Sequence, residues 1–173
     1  MGHDKAGQIL KQAQNRGNAI HKICEEYIKN NPNWRKGMMP VNLDSFKQFR
    51  PVLDINLQLV YGQELPLYSP EKLKAAGTAD LVCRWDDINA IVDFKTARKE
   101  KTEEWCLGYL LQATAYSIMV EELYGIICPR IVILLARDHE NEAQVLVRER
   151  EAYYNRVVAI FNDPLVRSKI NIE

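Results

Sequence analysis

Two neighbouring apolar segments, residues 78–85 and 90–96, contain the side chains best suited to chemistry. The polar residues between them indicate a turn, so the two segments are predicted to form a β-hairpin. Because side chains alternate along a strand, Asp93 and Lys95 share one face of the second strand, and Asp80 on the first strand is within cross-strand reach. Two carboxylates that converge beside an ammonium repel each other unless something positive lies between them. The pattern therefore indicates a site for a hard divalent cation with oxygen ligands.

The rest of the hairpin and the segment after it are expected to position these groups. Val92 and Phe94 alternate with the polar pair and are predicted to enter the core. Residues 102–122 have helical periodicity, and Gln112 and Tyr116 are four residues apart, so they share one helix face. They could point together at a phosphate or a base. The apolar positions of this helix are Trp105, Leu107, Leu110, Leu111, Ala115, Ile118, Met119 and Leu123.

These residues resemble the motifs of the PD-(D/E)xK nucleases, which have the restriction-endonuclease-like fold. The nearer resemblance is to the branch with the RecB nuclease domain, Cas4-type proteins and the mitochondrial genome maintenance exonuclease, and to its small phage-type exonucleases. The branch carries GxxD on one strand, (D/E)xK on the next, QxxxY on the following helix and a histidine on an early helix. Here the motifs are Gly77 to Asp80, Asp93 to Lys95, Gln112 with Tyr116, and His21, and the resemblance covers about residues 16–125.

The resemblance implies a metal-dependent active site. His21, Asp80, Asp93 and the backbone carbonyl of Phe94 would hold one or two Mg²⁺ or Mn²⁺ ions, and the imidazole favours Mn²⁺ somewhat. Lys95 would act with Asp80 and Asp93 as a catalytic residue that orients or helps to deprotonate the attacking water. Without the resemblance, a histidine beside an apolar stripe is more often a packed residue than a ligand.

Four further residues are expected to bind substrate. Gln112 and Tyr116 would steady a water or the adjacent nucleotide, and Arg16, which precedes His21 by just over one helical turn, is a candidate phosphate contact. Glu64 lies where many relatives place another acidic residue, and could act through a water; an ordinary surface glutamate is the alternative.

Length and composition suit one domain. The chain has 173 residues, of which 47% are hydrophobic and 27% charged, with no low-complexity tract. A single nuclease domain over 1–173 is expected, with a helical amino-terminal part at about 1–54 and a catalytic α/β core at about 55–173. No apolar run is long enough to span a bilayer and the polar start is unlike a signal peptide, so no membrane partner and a cytoplasmic location are expected, in the host if the protein is phage-encoded.

Charge and cysteine content refine the expected partners. The net charge is zero, but the first 50 residues have nine basic and four acidic side chains, a surplus that suits nucleic acid beside an acidic metal centre. A solvated helix surface is the alternative. The four cysteines are scattered without a paired motif, so they are expected to be reduced and buried. Some relatives hold an iron–sulfur cluster through a late cysteine trio; this chain lacks that trio, and no cluster is expected.

The remaining pattern predicts the order ααβββαββα, which matches a mixed β-sheet flanked by helices. Residues 7–30 are predicted to form a helix, with a break or kink at 15–18, and a second helix is predicted to begin with Asn42 as its cap. Strands are predicted at 56–69, 126–136 and 143–148, and a closing helix at 149–160. Gly125 is expected to end the long helix, and His139 to be exposed. Trp34 could pack over the core or stack on an unpaired base.

Three functions fit the pattern. The first is a metal-dependent exonuclease that acts on linear DNA, single-stranded or frayed at its ends, with DNA and other replication or recombination proteins as partners. The second is a structure-specific endonuclease or nickase of the same fold. The third is a DNA-binding or assembly protein without catalysis. The Asp80, Asp93 and Lys95 set argues against the third, because converging buried charges are costly without a metal.

Overall fold

The computed structural model describes residues 2–165 as an α/β structure whose elements follow the predicted order. Five strands form one mixed sheet, and four helices flank it. The elements are α1 (Gly2–Ile28), α2 (Pro40–Asn56), β1 (Leu57–Ser69), β2 (Ala75–Trp85), β3 (Ile88–Ala97), α3 (Glu103–Tyr124), β4 (Arg130–Arg137), β5 (Gln144–Glu149) and α4 (Glu151–Asn162). The predicted fold class, an α/β core with a helix-flanked mixed sheet, is confirmed.

The strands lie side by side in chain order, from β1 to β5. Neighbouring strands are antiparallel except for β3 and β4, which run parallel. A parallel pair needs a long crossover connection, and α3 supplies it. This arrangement places α3 directly after the strand that carries Asp93 and Lys95. The same helix therefore lies against the sheet beside the candidate site.

The sheet has a hydrophobic core on each face. On one face α3 and α4 pack against the strands, and Leu110, Ile118 and Ile133 are fully buried there. On the other face α1 and α2 pack against the strands through Ile20, Phe49 and Val92. Because both faces are covered, β4 is a continuous apolar run, as expected for a central strand. Phe94 is buried on the α1 and α2 face, as alternation predicted.

The β2–β3 hairpin closes with a two-residue turn. Asp86 and Asp87 both have positive φ, 47° and 62°, which is the conformation of a type I′ turn. This turn sets the register in which Leu81 faces Val92. The predicted hairpin is thus confirmed, with a shorter turn than the polar residues indicated.

Three boundary predictions are wrong, each for a local reason. Helix α1 continues without a break through residues 15–18, because one glycine in a helix costs only about 1 kcal/mol and the turn that follows packs on the core through Ile20 and Ile23. Helix α2 begins at Pro40, with Met39 and not Asn42 as its N-cap; proline suits the first helical position because it lacks the N–H that would be unpaired there. Strand β4 begins after Pro129, which cannot donate to a ladder.

Three single residues considered in the sequence have clear outcomes. Gly125 ends α3 in the left-handed conformation, with φ of 68°, as expected for a C-cap glycine. Trp34 packs edge-on against Tyr27 and Phe46, which favours the core interpretation over base stacking. His139 is exposed, as expected. Within residues 2–165, no helix is both long enough and apolar enough to cross a membrane.

Candidate active site

The candidate site lies where β2 and β3 separate. The ladder between these strands ends at the pair Leu81 and Val92. Beyond this pair β2 stays with β1, whereas β3 stays with β4 as far as Ala97. Asp80 and Asp93 are the first residues past the last pair, one on each side of the opening. The fork brings together the two carboxylates that strand alternation predicted to converge.

Side chains bond the backbone of Phe94 at this fork. Its N–H donates to Asp80 Oδ2 at 2.8 Å, and its carbonyl lies 2.9 Å from Nε2 of His21, which comes from α1 on the opposite side. Since a carbonyl can only accept, His21 carries its proton on Nε2 in this contact. In the neutral imidazole with this tautomer, Nδ1 carries the lone pair that could bind a cation.

His21, Glu64 and Asp80 form a three-residue cluster that could hold a metal ion. Nδ1 of His21 lies 3.5 Å from Asp80 Oδ1 and 3.6 Å from Glu64 Oε1. One ligand atom from each residue lies within 4.8 Å of the other two. With the Nε2 proton engaged by Phe94, these three atoms face one another with lone pairs. They would be held apart by repulsion unless a cation lies among them.

Glu64 reaches the cluster through an unusual backbone conformation. Its φ is 45°, in the left-handed region that costs a non-glycine residue roughly 1 kcal/mol or more, and β1 has register irregularities just before it. Burial raises the pKa of its carboxyl, and the negative charge of Asp80 raises it further. Glu64, predicted only as a possible substrate contact, is therefore placed with the metal-ligand candidates.

Asp93 points to Lys95 and not into the three-residue cluster. The Asp93 side chain is only 1% exposed, and the Lys95 ammonium lies 2.8 Å from Oδ1 and 2.7 Å from Oδ2. Burial raises the pKa of Asp93 to about 7, although Lys95 opposes the shift. Burial lowers the pKa of Lys95, but the charges of Asp93 and Asp80 outweigh it, so the net shift is upward. Lys95 therefore stays charged at neutral pH.

The two α3 residues of the QxxxY motif meet the site from the other side of the sheet. Gln112 Nε2 donates to the hydroxyl of Tyr116 at 3.0 Å. Burial raises the pKa of Tyr116, and the charges of Asp93 and Asp80 add to the effect. The hydroxyl thus stays protonated and its proton is free to be donated toward a bound group.

Gly77 is required by the Tyr116 ring. A Cβ added at Gly77 would lie 2.6 Å from Cε1 and 3.2 Å from the hydroxyl of Tyr116. No real side chain tolerates such a contact without movement. The first residue of the GxxD motif thus lets the tyrosine ring approach the backbone of β2.

We expect Gly77→Ala to reduce the free energy of unfolding by about 1–3 kcal/mol, because the rigid ring or the strand must shift. Gly108→Ala is the matched control: Gly108 is exposed within α3 and nothing lies within 4 Å of an added Cβ, so this change should stabilise by about 1 kcal/mol. Urea unfolding measures both. Similar stabilities for Gly77→Ala and the parent would contradict the tight packing of Tyr116 on this strand.

Arg16 lies beside the carboxyl end of β3. Its guanidinium is 2.5 Å from Asp138 and donates to Ser45 Oγ at 3.1 Å, and its Nε is buried without a hydrogen-bond partner. With Thr96, Ala97 and Arg98, which follow Lys95, it lines a cavity of about 300 Å³. The structure thus places Arg16 next to the candidate site, in a contact with an acid that a phosphate could replace.

Sequence reasoning missed Tyr109. The Lys95 ammonium lies 5.3 Å from the centre of its ring, and Lys101 donates to its hydroxyl at 2.8 Å. Tyr109 precedes Gln112 by three residues and Tyr116 by seven, so helical spacing alone could have placed it on the same face of α3.

The donor set fits a divalent cation. One imidazole and two carboxylates make a mixed nitrogen and oxygen site of the kind that suits Mn²⁺ or Mg²⁺. Asp93 Oδ2 is buried and lacks a well-oriented hydrogen bond, so it has ligand capacity left beside the cluster. The carbonyl of Phe94, expected as a ligand, is engaged by His21 in this structure. A first ion therefore fits among His21, Glu64 and Asp80, with Asp93 adjacent.

Comparison with known proteins gives a likeness among solved structures. No protein-family model matches the chain, and no curated protein sequence matches it significantly. Among solved structures, the fold is similar to the crystal structure of a "Putative exonuclease" from Eubacterium rectale, with a TM-score of 0.57 and 13% sequence identity. The match covers 92% of this chain and 67% of the other. At this identity the likeness shows a shared fold, and function must be argued from the site itself.

Proposed function

We propose that this protein is a metal-dependent deoxyribonuclease of the PD-(D/E)xK type, from the branch that contains the RecB nuclease domain, and that it acts as an exonuclease on linear DNA. The observation that carries the proposal is the fork between β2 and β3, where His21, Glu64 and Asp80 face one another beside a buried Asp93–Lys95 pair. An isolated ion pair would not need three more titratable groups around it. The structural neighbour is described as an exonuclease; its likeness to this chain is one of fold alone, and an exonuclease activity is compatible with this site.

A divalent cation in this cluster would polarise a phosphoryl oxygen and lower the pKa of a nearby water, which is the chemistry that phosphodiester hydrolysis requires. Asp80 is held by the Phe94 N–H and His21 by the Phe94 carbonyl, so one residue of β3 fixes the orientation of both ligands. Such fixed groups need little rearrangement before reaction. Glu64 completes the cluster from β1.

Lys95 provides positive charge and not a free base. Its raised pKa keeps it protonated, and Asp93 holds it at 2.7–2.8 Å. An ammonium placed beside the scissile phosphate stabilises the additional negative charge of the transition state and can orient the attacking water. Gln112 and Tyr116 bring further hydrogen-bonding groups from α3. These groups would bind the phosphate or sugar next to the cleaved bond.

The proposal is tested by the fate of labelled DNA. Linear single- and double-stranded DNA, labelled at the 5′ or the 3′ end, is incubated beside a covalently closed circle with Mg²⁺, Mn²⁺ or EDTA. We expect loss of the linear DNA with either metal, no loss in EDTA, and an intact circle. The label that is released first gives the direction of digestion.

Two other results would change the assignment. A nicked or linearised circle would support the alternative, a structure-specific endonuclease or nickase. A folded protein that binds DNA but cleaves none of the substrates with any metal would support a binding or assembly protein instead. The arrangement of Asp93 and Lys95 argues against that last outcome, since burying such a pair is costly without a use for it.

We expect Arg16→Gln to weaken DNA binding several-fold in EDTA and to lower the salt dependence by about one phosphate contact. Asp138→Asn should have the opposite effect, because it releases Arg16 from its 2.5 Å contact. Fluorescence anisotropy over a salt series measures both. Arg50→Gln is the control, since Arg50 pairs with Asp54 and does not line the Arg16 cavity. Equal losses for Arg16→Gln and Arg50→Gln would rule out a specific phosphate contact.

A further inference from the structure

Trp105 is an apolar residue of the α3 stripe that the core does not use. The sequence pattern groups it with the apolar positions of α3, yet 76% of the residue is exposed to solvent. Leu110, Ile118 and Met119, which belong to the same set of apolar positions, are almost completely buried. An exposed tryptophan is costly, because its large ring gains more than most side chains from leaving water. The structure offers it no protein partner among the described ring contacts.

Trp105 lies at the start of a line of residues that leads to the candidate active site. Trp105, Tyr109, Gln112 and Tyr116 are spaced by four, three and four residues, so they form one stripe along α3. Tyr116 lies against Gly77 of the GxxD motif, and Tyr109 lies 5.3 Å from the Lys95 ammonium. The stripe therefore joins an exposed aromatic ring to the catalytic lysine without interruption.

Cations accompany the aromatic rings. Lys101 donates to the Tyr109 hydroxyl at 2.8 Å, and its ammonium lies 4.7 Å from the centre of the same ring. Among the described residues, Lys101 forms no ion pair with an acid. Two acids, Glu103 and Glu104, open α3. Glu103 is paired with Arg148 at 2.5 Å and accepts a hydrogen bond from the Tyr153 hydroxyl, whereas Glu104 is exposed. Gly108, between Trp105 and Gln112, adds no side chain over the helix surface. An aromatic ring can stack on a base while a neighbouring cation binds the phosphate, and the absence of a side chain at Gly108 leaves room for the strand.

The geometry points to Trp105 as the base-stacking ring of a platform, with Tyr109 and Lys101 beside it, that selects an unpaired DNA strand and leads it to the site. We name Trp105, Tyr109 and Lys101 the α3 platform. Stacking needs an open base face, which a single strand offers and the interior of a duplex does not. This inference rests on the proposed function and narrows its substrate to single-stranded DNA or frayed ends.

Binding in EDTA tests the platform apart from cleavage. The ligands are an oligothymidylate of about twelve nucleotides, a duplex of the same length, and an oligomer of the same length whose residues are abasic. We expect Trp105→Ala to weaken binding of the oligothymidylate about tenfold, and to change binding of the duplex and the abasic strand less than twofold. Trp105→Phe should retain most of the affinity because a smaller ring remains.

Tyr124→Ala is the matched control. Tyr124 is also an exposed aromatic of α3, with 54% of its surface free, but it lies about 28 Å away along the helix. We expect no change in its oligothymidylate affinity. Tryptophan fluorescence gives a second measurement: the strand should quench the parent and not Trp105→Phe, because Trp85 is buried and Trp34 is packed against Tyr27.

Other results would overturn the platform. Unchanged oligothymidylate affinity in Trp105→Ala, or equal losses for the strand, the duplex and the abasic oligomer, would each show that the ring does not stack on bases. If the parent binds the strand through Trp105 but cleaves no DNA, the proposed nuclease is contradicted and the platform is not. If the parent cleaves DNA and Trp105→Ala binds the oligothymidylate as tightly as the parent, the platform is contradicted and the nuclease is not.

Discussion

Lys95→Met is expected to reduce DNA cleavage about a thousandfold while DNA binding changes little, because a positive charge beside the scissile phosphate acts mainly in the transition state. Methionine keeps the aliphatic stem of the lysine and removes only its charge. Single-turnover cleavage of labelled linear DNA in Mn²⁺ measures the loss. A variant that keeps more than a tenth of the parent rate would contradict a catalytic role for this lysine.

The same variant should be less stable, for a separate reason. Asp93 is 1% exposed and loses the Lys95 ammonium that pairs with it, which costs about 3–5 kcal/mol when a buried pair is broken. The pKa of Asp93 in the folded protein is already raised to about 7 by burial, and loss of Lys95 raises it further. A raised carboxyl pKa lowers stability as pH rises from the unfolded value of about 4 to the folded value. The parent therefore stops losing stability near pH 7 whereas the variant continues to lose it, and the deficit should grow above pH 7.

A second substitution separates the two effects. In Lys95→Met with Asp93→Asn the buried charge is absent, so much of the stability at pH 7 should return, whereas cleavage should stay lost. Urea unfolding at pH 7 and pH 9 provides the stabilities. If activity recovers together with stability, Lys95 supports the fold and not the reaction.

Asp80→Asn is expected to abolish metal binding while leaving the metal-free protein at least as stable as the parent. The asparagine oxygen can still accept the Phe94 N–H, so the fork should hold. The charge that raises the pKa of Glu64 and of Asp93 is gone, which relieves repulsion in the metal-free state. A gain in the free energy of unfolding would be unusual for this kind of substitution, because removing a buried carboxylate more often destabilises a protein.

Thermal unfolding with and without Mn²⁺ measures this effect. At about a hundredfold excess of Mn²⁺ over its dissociation constant, the parent should gain about 2.7 kcal/mol, and Asp80→Asn should gain almost nothing. Asp44→Asn is the control, since Asp44 is exposed on α2 and pairs only with its neighbour Lys47. A full Mn²⁺ gain in Asp80→Asn would place the ion elsewhere.

Much of the site follows from local rules that a sequence displays. Period-two alternation places Asp93 and Lys95 together, and the turn after Trp85 aligns Asp80 with them. Helical spacing pairs Gln112 with Tyr116, which the structure joins by a hydrogen bond. The strand order follows from similar rules. Short connections make sequential strands neighbours, and α3 is long enough to serve as the crossover between the parallel strands β3 and β4.

The remaining features depend on contacts between distant segments. Glu64 turns into the cluster through a left-handed φ, which propensity does not predict for a glutamate. The pairing of Asp93 with Lys95, and of the Phe94 carbonyl with His21, depends on where β2 leaves β3 and where α1 crosses. Trp105 has the periodicity of a core residue, and only the assembled sheet shows that no apolar neighbour covers it.

The most direct test of a cation-dependent site is a crystal of the protein soaked in Mn²⁺ and measured near the manganese absorption edge. We expect one strong anomalous peak within bonding distance of His21 Nδ1, Glu64 and Asp80, with Asp93 beside it. Crystals of Asp80→Asn treated in the same way should lack the peak. A parent crystal with no peak at this fork, or with manganese bound only at other surface carboxylates, would contradict the proposed metal centre and the nuclease built on it.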